Sequence, residues 1–190
     1  MGKKGMSIAL FVLCAWAFQS GLASASPIKA GDVLPEITLS TPEAASDQEY
    51  LGVSGGDSFK VTDIKADLVI VEIFGVTCPH CNHAAPSVNK LYELIESKPE
   101  LKGKVKIIGI GVGNDSYEVA YFKKKHKVPF PLFDDEEYLI HEQVGEPGTP
   151  YFICIKNNKD GSHDIIDAQA GGFENADDFL EMLLLKSGLK

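Results

Sequence analysis

The chain has 190 residues, of which 44% are hydrophobic, and this length and composition fit one globular domain with a sizeable core. Its formal net charge is −9, with 27 acidic residues against 18 basic ones, and every one of the 18 is lysine. A surface this acidic excludes nucleic acid as an expected partner.

Residues 1–25 have the pattern of a secretory signal. Lys3 and Lys4 form a short basic part, an apolar run covers 8–18, and Ala23-Ser24-Ala25 fits a small-x-small cleavage site. We expect cleavage after Ala25, which leaves a domain over 26–190 in the periplasm or otherwise exported and moves the formal charge from −9 to −11. An uncleaved membrane anchor is the less favoured alternative, because the run has about half the roughly 20 residues that a spanning helix needs.

Two short strands, at 37–39 and 59–61, are predicted ahead of the core. The segment between them, 40–57, is rich in Gly, Ser and Asp and predicts a loop. The core then alternates between strands and helices, with a hairpin near its end. The predicted strands are 68–74, 105–112, 151–156 and 163–169, and the predicted helices are 79–97, 116–126, 136–144 and 176–186. This order predicts an α/β fold, in which a central mixed sheet has helices on both faces.

A Cys-x-x-Cys pair, Cys78-Pro79-His80-Cys81, follows the most apolar predicted strand and begins the longest predicted helix. Unpaired N–H groups and the helix dipole favour a thiolate at a helix N-terminus, so Cys78 should be the reactive thiol. His80 could lower the pKa of Cys78 further by a positive charge or a hydrogen bond. A structural pair or half of a zinc site is the plainer interpretation, but no second Cys or His pair with zinc-ligand spacing is present.

Two other residues in predicted strands bear on this site. Glu72 lies in the apolar run 68–74, six residues before Cys78, either buried or at a strand end reaching solvent. If it is buried, its pKa should be raised, and it could exchange a proton with Cys81. Cys154 lies in strand 151–156, where a buried core residue is more typical than a reactive thiol. An odd count of three cysteines outside the signal leaves one unpaired.

The order of several short motifs resembles the thioredoxin-like superfamily, and within it the exported TlpA/ResA-type redoxin branch, over nearly all of residues 30–190. The motifs are Gly31-Asp32-x-Leu34-Pro35, Cys78-x-x-Cys81, Val128-Pro129-Phe130-Pro131, Gly148-Thr149-Pro150 and Lys159-Asp160-Gly161. The active-site sequence Cys-Pro-His-Cys also matches the DsbA family, although no extra helical domain is evident between Cys81 and Pro150.

The resemblance implies a thioredoxin-like fold and thiol–disulfide exchange with cysteines of client proteins. It implies a redox-active Cys78–Cys81 disulfide, a buried acid at Glu72, and a cis Thr149–Pro150 bond facing the cysteines. Thr149 and Pro150 would then shape the substrate groove, and Pro79 and His80 would tune the site. The alternative for Pro150 is an ordinary loop proline before a strand. No cofactor is expected. A monomer is expected, with a redox partner protein that could be membrane-bound, and the direction of electron transfer stays open.

Two other functions fit parts of the sequence. The cluster of Cys78, His80, Cys81 and His83 could bind a soft metal such as Cu(I), which would make the chain a copper-delivery protein. Copper carriers of this superfamily typically have a wider cysteine spacing and a distant histidine, so no metal site is predicted. A thiol peroxidase is the third possibility. Peroxiredoxins use an arginine to hold the peroxidatic thiolate, and this chain has no arginine.

Overall fold

The computed structural model describes residues 26–189, so the predicted signal over 1–25 lies outside the described residues. A five-stranded sheet forms the centre, in the order β5-β4-β3-β6-β7. Its strands are β3 (Leu68–Phe74), β4 (Val105–Val112), β5 (Leu132–Asp135), β6 (Tyr151–Asn157) and β7 (His163–Ala170). β4 lies parallel to β3 and β5, whereas β6 is antiparallel to both β3 and β7. The predicted mixed sheet is confirmed.

Helices cover the two faces of this sheet. They are α1 (Ala45–Leu51), α2 (Pro79–Ser97), α3 (Ser116–His126), α4 (Leu139–Gln143) and α5 (Ala176–Ser187). One apolar cluster joins the sheet to α2, α3 and α5, and a second joins the opposite face to α1 and α4. Among residues 26–189, no helix is both long and apolar enough to cross a membrane.

The strand β3 feeds both clusters, because successive side chains point to opposite faces. Ile70 and Phe74 lie on the α2 face, whereas Val71 and Ile73 lie on the other. Every residue of β3 is buried, as its unbroken apolar run predicts for a central strand. The same alternation places Glu72 on the α2 face, under the helix that carries the cysteines.

The predicted bounds of β3, α2, β4 and α3 agree with the structure. Three elements differ from the sequence-based expectation. The predicted loop over 40–57 contains α1, and the short strands flanking it, β1 (Thr38–Ser40) and β2 (Ser58–Lys60), pair with each other outside the main sheet. The short edge strand β5 was not predicted, and α4 is shorter than the predicted 136–144.

Candidate active site

Cys78 lies in the short turn between β3 and α2, directly before the first residue of α2. Its backbone is extended, with φ −68° and ψ 119°, and Pro79 occupies the first turn of α2, where a missing N–H costs nothing. The Cys78 sulfur accepts a hydrogen bond from the backbone N–H of Cys81 at 3.3 Å. Cys78 thus takes the part that Ser or Asp takes at most helix starts. The sulfur is aimed at the positive end of the helix dipole.

This geometry sets the acidity of Cys78. Partial burial by itself would raise the pKa of the thiol. Hydrogen bonds to the Cys78 sulfur outweigh this effect of burial, and the pKa of Cys78 is lowered from its usual value. These hydrogen bonds involve the side chains of Cys81 and Thr149 and the backbone of Cys81 and His80. Cys78 is also half-exposed. A thiol that is both accessible and acidic is the kind that attacks disulfides.

Cys81 has the opposite character. It lies one turn into α2 with none of its surface exposed, and its sulfur accepts a hydrogen bond from the Gly75 N–H at 3.5 Å. Burial, together with the neighbouring Cys78 sulfur, raises the pKa of Cys81 to about 12. Both sulfurs are free thiols in this structure, so it shows the reduced form of the pair.

Glu72 is buried on the α2 face of β3, with 3% of its surface exposed, which rules out the solvent-facing alternative. One carboxyl oxygen, Oε1, has no hydrogen-bond partner among the described residues. Burial, with a smaller contribution from the charge of Cys78, raises the pKa of Glu72 to about 8. The carboxyl group can therefore either hold or release a proton near neutral pH.

The loop before β6 faces the cysteines. The Thr149–Pro150 bond is cis, as the resemblance implies, and the Thr149 carbonyl accepts a hydrogen bond from the Cys78 sulfur at 3.4 Å. A groove of about 570 Å³ runs alongside this loop. Its lining includes Thr149 and Pro150 from the loop, His80 and His83 from α2, and Phe173 from the segment after β7.

The imidazole of His80 does not touch the Cys78 sulfur by any hydrogen bond within residues 26–189. Pro79 and His80 are exposed at the start of α2, and only the backbone of His80 is among the groups that lower the pKa of Cys78. No group of three or more His, Cys, Asp or Glu residues in the described part of the chain is placed to hold a metal ion.

Cys154 lies away from this site. It is in the middle of β6, fully buried, with Ile70 of β3 on one side and Asp167 of β7 on the other. Burial raises its pKa well above the usual value. The structure therefore does not bring the third cysteine to the other two.

Sequence reasoning missed two asparagines at the site. Asn114, in the turn before α3, accepts a hydrogen bond from the Val76 N–H at 3.0 Å. Asn82, directly after Cys81, donates to the carbonyls of Val76 and Cys78. No sequence pattern marks either residue, because the Asn114 contact joins residues 38 positions apart and the Asn82 amide oxygen faces partners from the end of α3.

Comparison with known protein families and sequences bears on this site. The model of the AhpC/TSA family matches residues 30–159, more than half of the chain. A thiol-disulfide oxidoreductase ResA from Geobacillus thermodenitrificans is 24% identical over 133 residues, which cover 70% of this chain and 67% of the relative. A second ResA, from Halalkalibacterium halodurans, is 23% identical over 130 residues, covering 67% and 69% of the two chains. These matches confirm the predicted thioredoxin-like, ResA-type resemblance.

Solved structures agree on the fold. A secreted Mycobacterium tuberculosis disulfide oxidoreductase homologous to E. coli DsbE superposes with a TM-score of 0.54 at 18% identity, covering 79% of this chain and 96% of that one. The thioredoxin domain of a thiol-disulfide oxidoreductase from Bacteroides vulgatus gives 0.59 at 16% identity, with coverages of 82% and 99%. At these identities the likeness concerns the fold, which is thioredoxin-like as predicted.

Proposed function

The chain belongs to the AhpC/TSA family, and we propose that it is an exported thiol–disulfide oxidoreductase that exchanges a Cys78–Cys81 disulfide with cysteines of client proteins. The observation that carries the proposal is the contrast between the two thiols. Cys78 is accessible, with a lowered pKa, whereas Cys81 is buried, with a raised pKa, one helical turn away. A pair that exchanges disulfides needs one thiol to attack and a shielded second thiol to resolve the intermediate.

In the reducing direction, the Cys78 thiolate attacks one sulfur of a client disulfide. A Cys78–client disulfide forms, and the first client sulfur leaves as a thiolate. Cys81 loses its proton, attacks the Cys78 sulfur, and expels the second client thiolate. Two electrons pass to the client, and the Cys78–Cys81 disulfide remains. The oxidising direction runs these steps in reverse.

Glu72 is proposed to move the proton of Cys81. A thiol whose pKa is about 12 gives up its proton slowly unless a base helps, and in the reverse direction the leaving Cys81 thiolate needs an acid. Glu72, whose pKa is about 8, supplies both forms near neutral pH. Its unpaired Oε1 leaves an acceptor free for this transfer.

The groove beside Thr149 and Pro150 is proposed to hold the client. Its volume of about 570 Å³ accommodates a short extended segment, and Phe173 adds an aromatic wall. The backbone of Thr149 would pair with that segment and keep its cysteine near the Cys78 sulfur, which lies 3.4 Å from the Thr149 carbonyl oxygen.

Export is proposed from the signal pattern of residues 1–25, with the mature domain spanning 26–190. Packing that begins at the predicted cleavage point supports this boundary. The Ile28 N–H donates to the Val144 carbonyl at 3.1 Å, and the Ser26 carbonyl packs so closely on Gly145 that a Cβ there would clash with it. N-terminal sequencing of the protein recovered from a periplasmic or secreted fraction should begin at Ser26.

The direction of electron transfer depends on the reduction potential. Whatever stabilises the Cys78 thiolate favours the dithiol and makes the disulfide a stronger oxidant. The hydrogen bond from the Cys81 N–H to the Cys78 sulfur at the start of α2 stabilises the thiolate. We propose that it places the reduction potential of the pair above that of thioredoxin and toward that of DsbA; the potentials of those two proteins differ by about 150 mV. Equilibration with glutathione would measure it.

A trapping experiment tests the exchange itself. Cys81→Ser should accumulate a mixed disulfide between Cys78 and a client, because the resolving thiol is missing. The double variant Cys78→Ser/Cys81→Ser is the matched control and should trap nothing. Equal trapping by both variants would reject Cys78 as the exchanging thiol.

Titration of the reduced protein with Cu(I) distinguishes disulfide exchange from the alternative function of copper delivery. Copper delivery requires stoichiometric Cu(I) binding that competes with strong chelators.

A further inference from the structure

We propose that Asn82 is a positioning residue of the thiol site: its amide fixes the backbone of the turn before α2 so that the N–H of Cys81 points at the Cys78 sulfur. The inference rests on the proposed function only for its biological meaning, because the geometry concerns the reactivity of Cys78 itself.

The amide nitrogen of Asn82 reaches back over one turn to the residues that precede the helix. It donates to the Val76 carbonyl at 3.0 Å and to the Cys78 carbonyl at 2.8 Å. The backbone N–H of Asn82 also donates to the Cys78 carbonyl, at 3.1 Å. The carbonyl of the nucleophilic cysteine is therefore held twice by one residue, and the carbonyl two residues before it is held once.

The amide oxygen of Asn82 is held from the other side by the end of α3. It accepts from the Lys125 ammonium at 2.6 Å, and it lies 2.9 Å from His126 Nε2. An amide oxygen only accepts, so His126 Nε2 must carry a proton. Both amide hydrogens and both oxygen lone pairs of Asn82 are thus used. A flipped amide would set Nδ2 against the Lys125 ammonium, which only donates, and Oδ1 against two carbonyls, which only accept, so one orientation is compatible with the surroundings.

A second amide holds the same turn from the sheet side. Asn114 accepts from the Val76 N–H at 3.0 Å, and its own Nδ2 donates to Glu118 at 3.1 Å. Asn82 and Asn114 therefore bind the carbonyl and the N–H of Val76 respectively. This leaves the backbone between Gly75 and Cys78 little freedom to rotate.

The held backbone matters because the hydrogen bond from Cys81 N–H to the Cys78 sulfur is made within one helical turn. That bond, at 3.3 Å, needs Cys78 in its extended conformation at the helix start. Hydrogen bonds to a charged acceptor stabilise it about twice as well as those to a neutral one, so rotation of Cys78 weakens the thiolate more than the thiol. Loss of the Asn82 amide should therefore raise the pKa of Cys78.

The chain contains a matched control on the same helix. Asn89, two turns further along α2, also reaches the end of α3, where its amide nitrogen donates to the His126 carbonyl at 2.8 Å. Asn89 makes no hydrogen bond to the turn before α2. Asn82→Ala and Asn89→Ala thus remove the same kind of bridge between α2 and α3, but only Asn82→Ala releases Val76 and Cys78.

The experiment measures the rate of Cys78 alkylation by iodoacetamide against pH, in reduced wild type, Asn82→Ala, Asn82→Leu and Asn89→Ala. We expect both Asn82 variants to raise the pKa of Cys78 by about one unit, which lowers alkylation at neutral pH several-fold. Asn89→Ala should match wild type. Asn82→Leu fills the volume without hydrogen bonds, so agreement between the two Asn82 variants separates the lost bonds from a lost contact. Circular dichroism should show all four proteins folded.

An unchanged Cys78 pKa in both Asn82 variants would overturn the inference, and so would an equal rise in Asn89→Ala. Alkylation requires no client protein, so this result is independent of the proposed function. A wild-type protein that has an acidic Cys78 but exchanges no disulfides would reject the function and leave the role of Asn82 standing.

Discussion

Cys78 and Cys154 occupy two different regions of one architecture: Cys78 follows the end of β3, whereas Cys154 lies in the middle of β6, directly beside β3. Cys78 is half-exposed at a helix start, and its pKa is lowered. Cys154 is enclosed between strands, and its pKa is raised by burial. The residue type is the same, and only the position in the fold differs. Chemistry is concentrated where a strand becomes a helix, because free N–H groups and solvent meet there.

The largest expected effect on disulfide exchange comes from replacing Cys78, which follows the end of β3. Cys78→Ser should lower disulfide exchange by about 1,000-fold or more, because the serine hydroxyl does not ionise near neutral pH and forms no disulfide. Insulin reduction in the presence of dithiothreitol measures this. Retention of more than a tenth of the activity would place the exchanging thiol elsewhere.

Glu72→Gln should slow exchange by about 10- to 100-fold, because Gln keeps the shape of the side chain but cannot carry the proton of Cys81. The alkylation rate of Cys78 should change much less than the exchange rate. Loss of both to the same extent would indicate that Glu72 acts only through Cys78.

Glu72 also makes stability depend on pH. Its pKa is about 8 in the folded protein, against 4.5 for an unperturbed Glu, so the folded state keeps a proton that the unfolded chain has lost. The free energy of unfolding therefore falls as pH rises from about 4.5 through 8. In a Cys78→Ser background, adding Glu72→Gln should remove this fall, a gain on the order of 2–4 kcal/mol at pH 9 relative to pH 5. Urea titrations at the two pH values measure it, and parallel pH profiles would contradict a buried acid.

Replacing Cys154, in the middle of β6, should lower the free energy of unfolding and leave the exchange activity unchanged. Cys154→Ala should cost about 1 kcal/mol, because it removes one buried sulfur and leaves a small cavity. The exchange activity should stay close to that of wild type, because Cys154 lies away from the other two cysteines. A folded Cys154→Ala protein without activity would require a three-cysteine mechanism and remove the contrast between the two regions.

His80→Ala should have the smallest effect. The imidazole makes no hydrogen bond to the Cys78 sulfur among residues 26–189, while the backbone of residue 80 remains in the variant. We expect the pKa of Cys78 to rise and the reduction potential to become more negative, by less than about 30 mV. A shift several times larger would show that the imidazole, and not only the helix start, stabilises the thiolate.

Much of the fold could be predicted because strong local patterns specify it. The apolar run of β3 and the helical period that follows it gave the bounds Leu68–Phe74 and Pro79–Ser97. Two weaker elements could not be found in this way. α1 begins after Ala44, which provides no side-chain cap, and β5 is a four-residue strand with two aspartates that exists through its pairing with β4.

The candidate active site also contains residues that local patterns reveal and residues that they do not. The cysteines, Glu72 and Thr149-Pro150 belong to local motifs, and the family resemblance of those motifs implied that they would meet. Asn82 could not be assigned, because its partners Lys125 and His126 lie 43 and 44 residues further along the chain. Contacts at that separation depend on how α2 packs against α3, and no periodicity or spacing in one sequence reveals them.

Disulfide exchange at this site depends most directly on which thiol is the nucleophile. Reduced protein is treated briefly with limiting iodoacetamide over a range of pH, then digested and examined by mass spectrometry. This shows which of the three cysteines reacts and gives the apparent pKa of the reactive one. We predict labelling at Cys78 alone near neutral pH, with an apparent pKa below that of an ordinary thiol, and labelling of Cys81 and Cys154 only after unfolding. Preferential labelling of Cys81 or Cys154 in the folded protein would contradict the account.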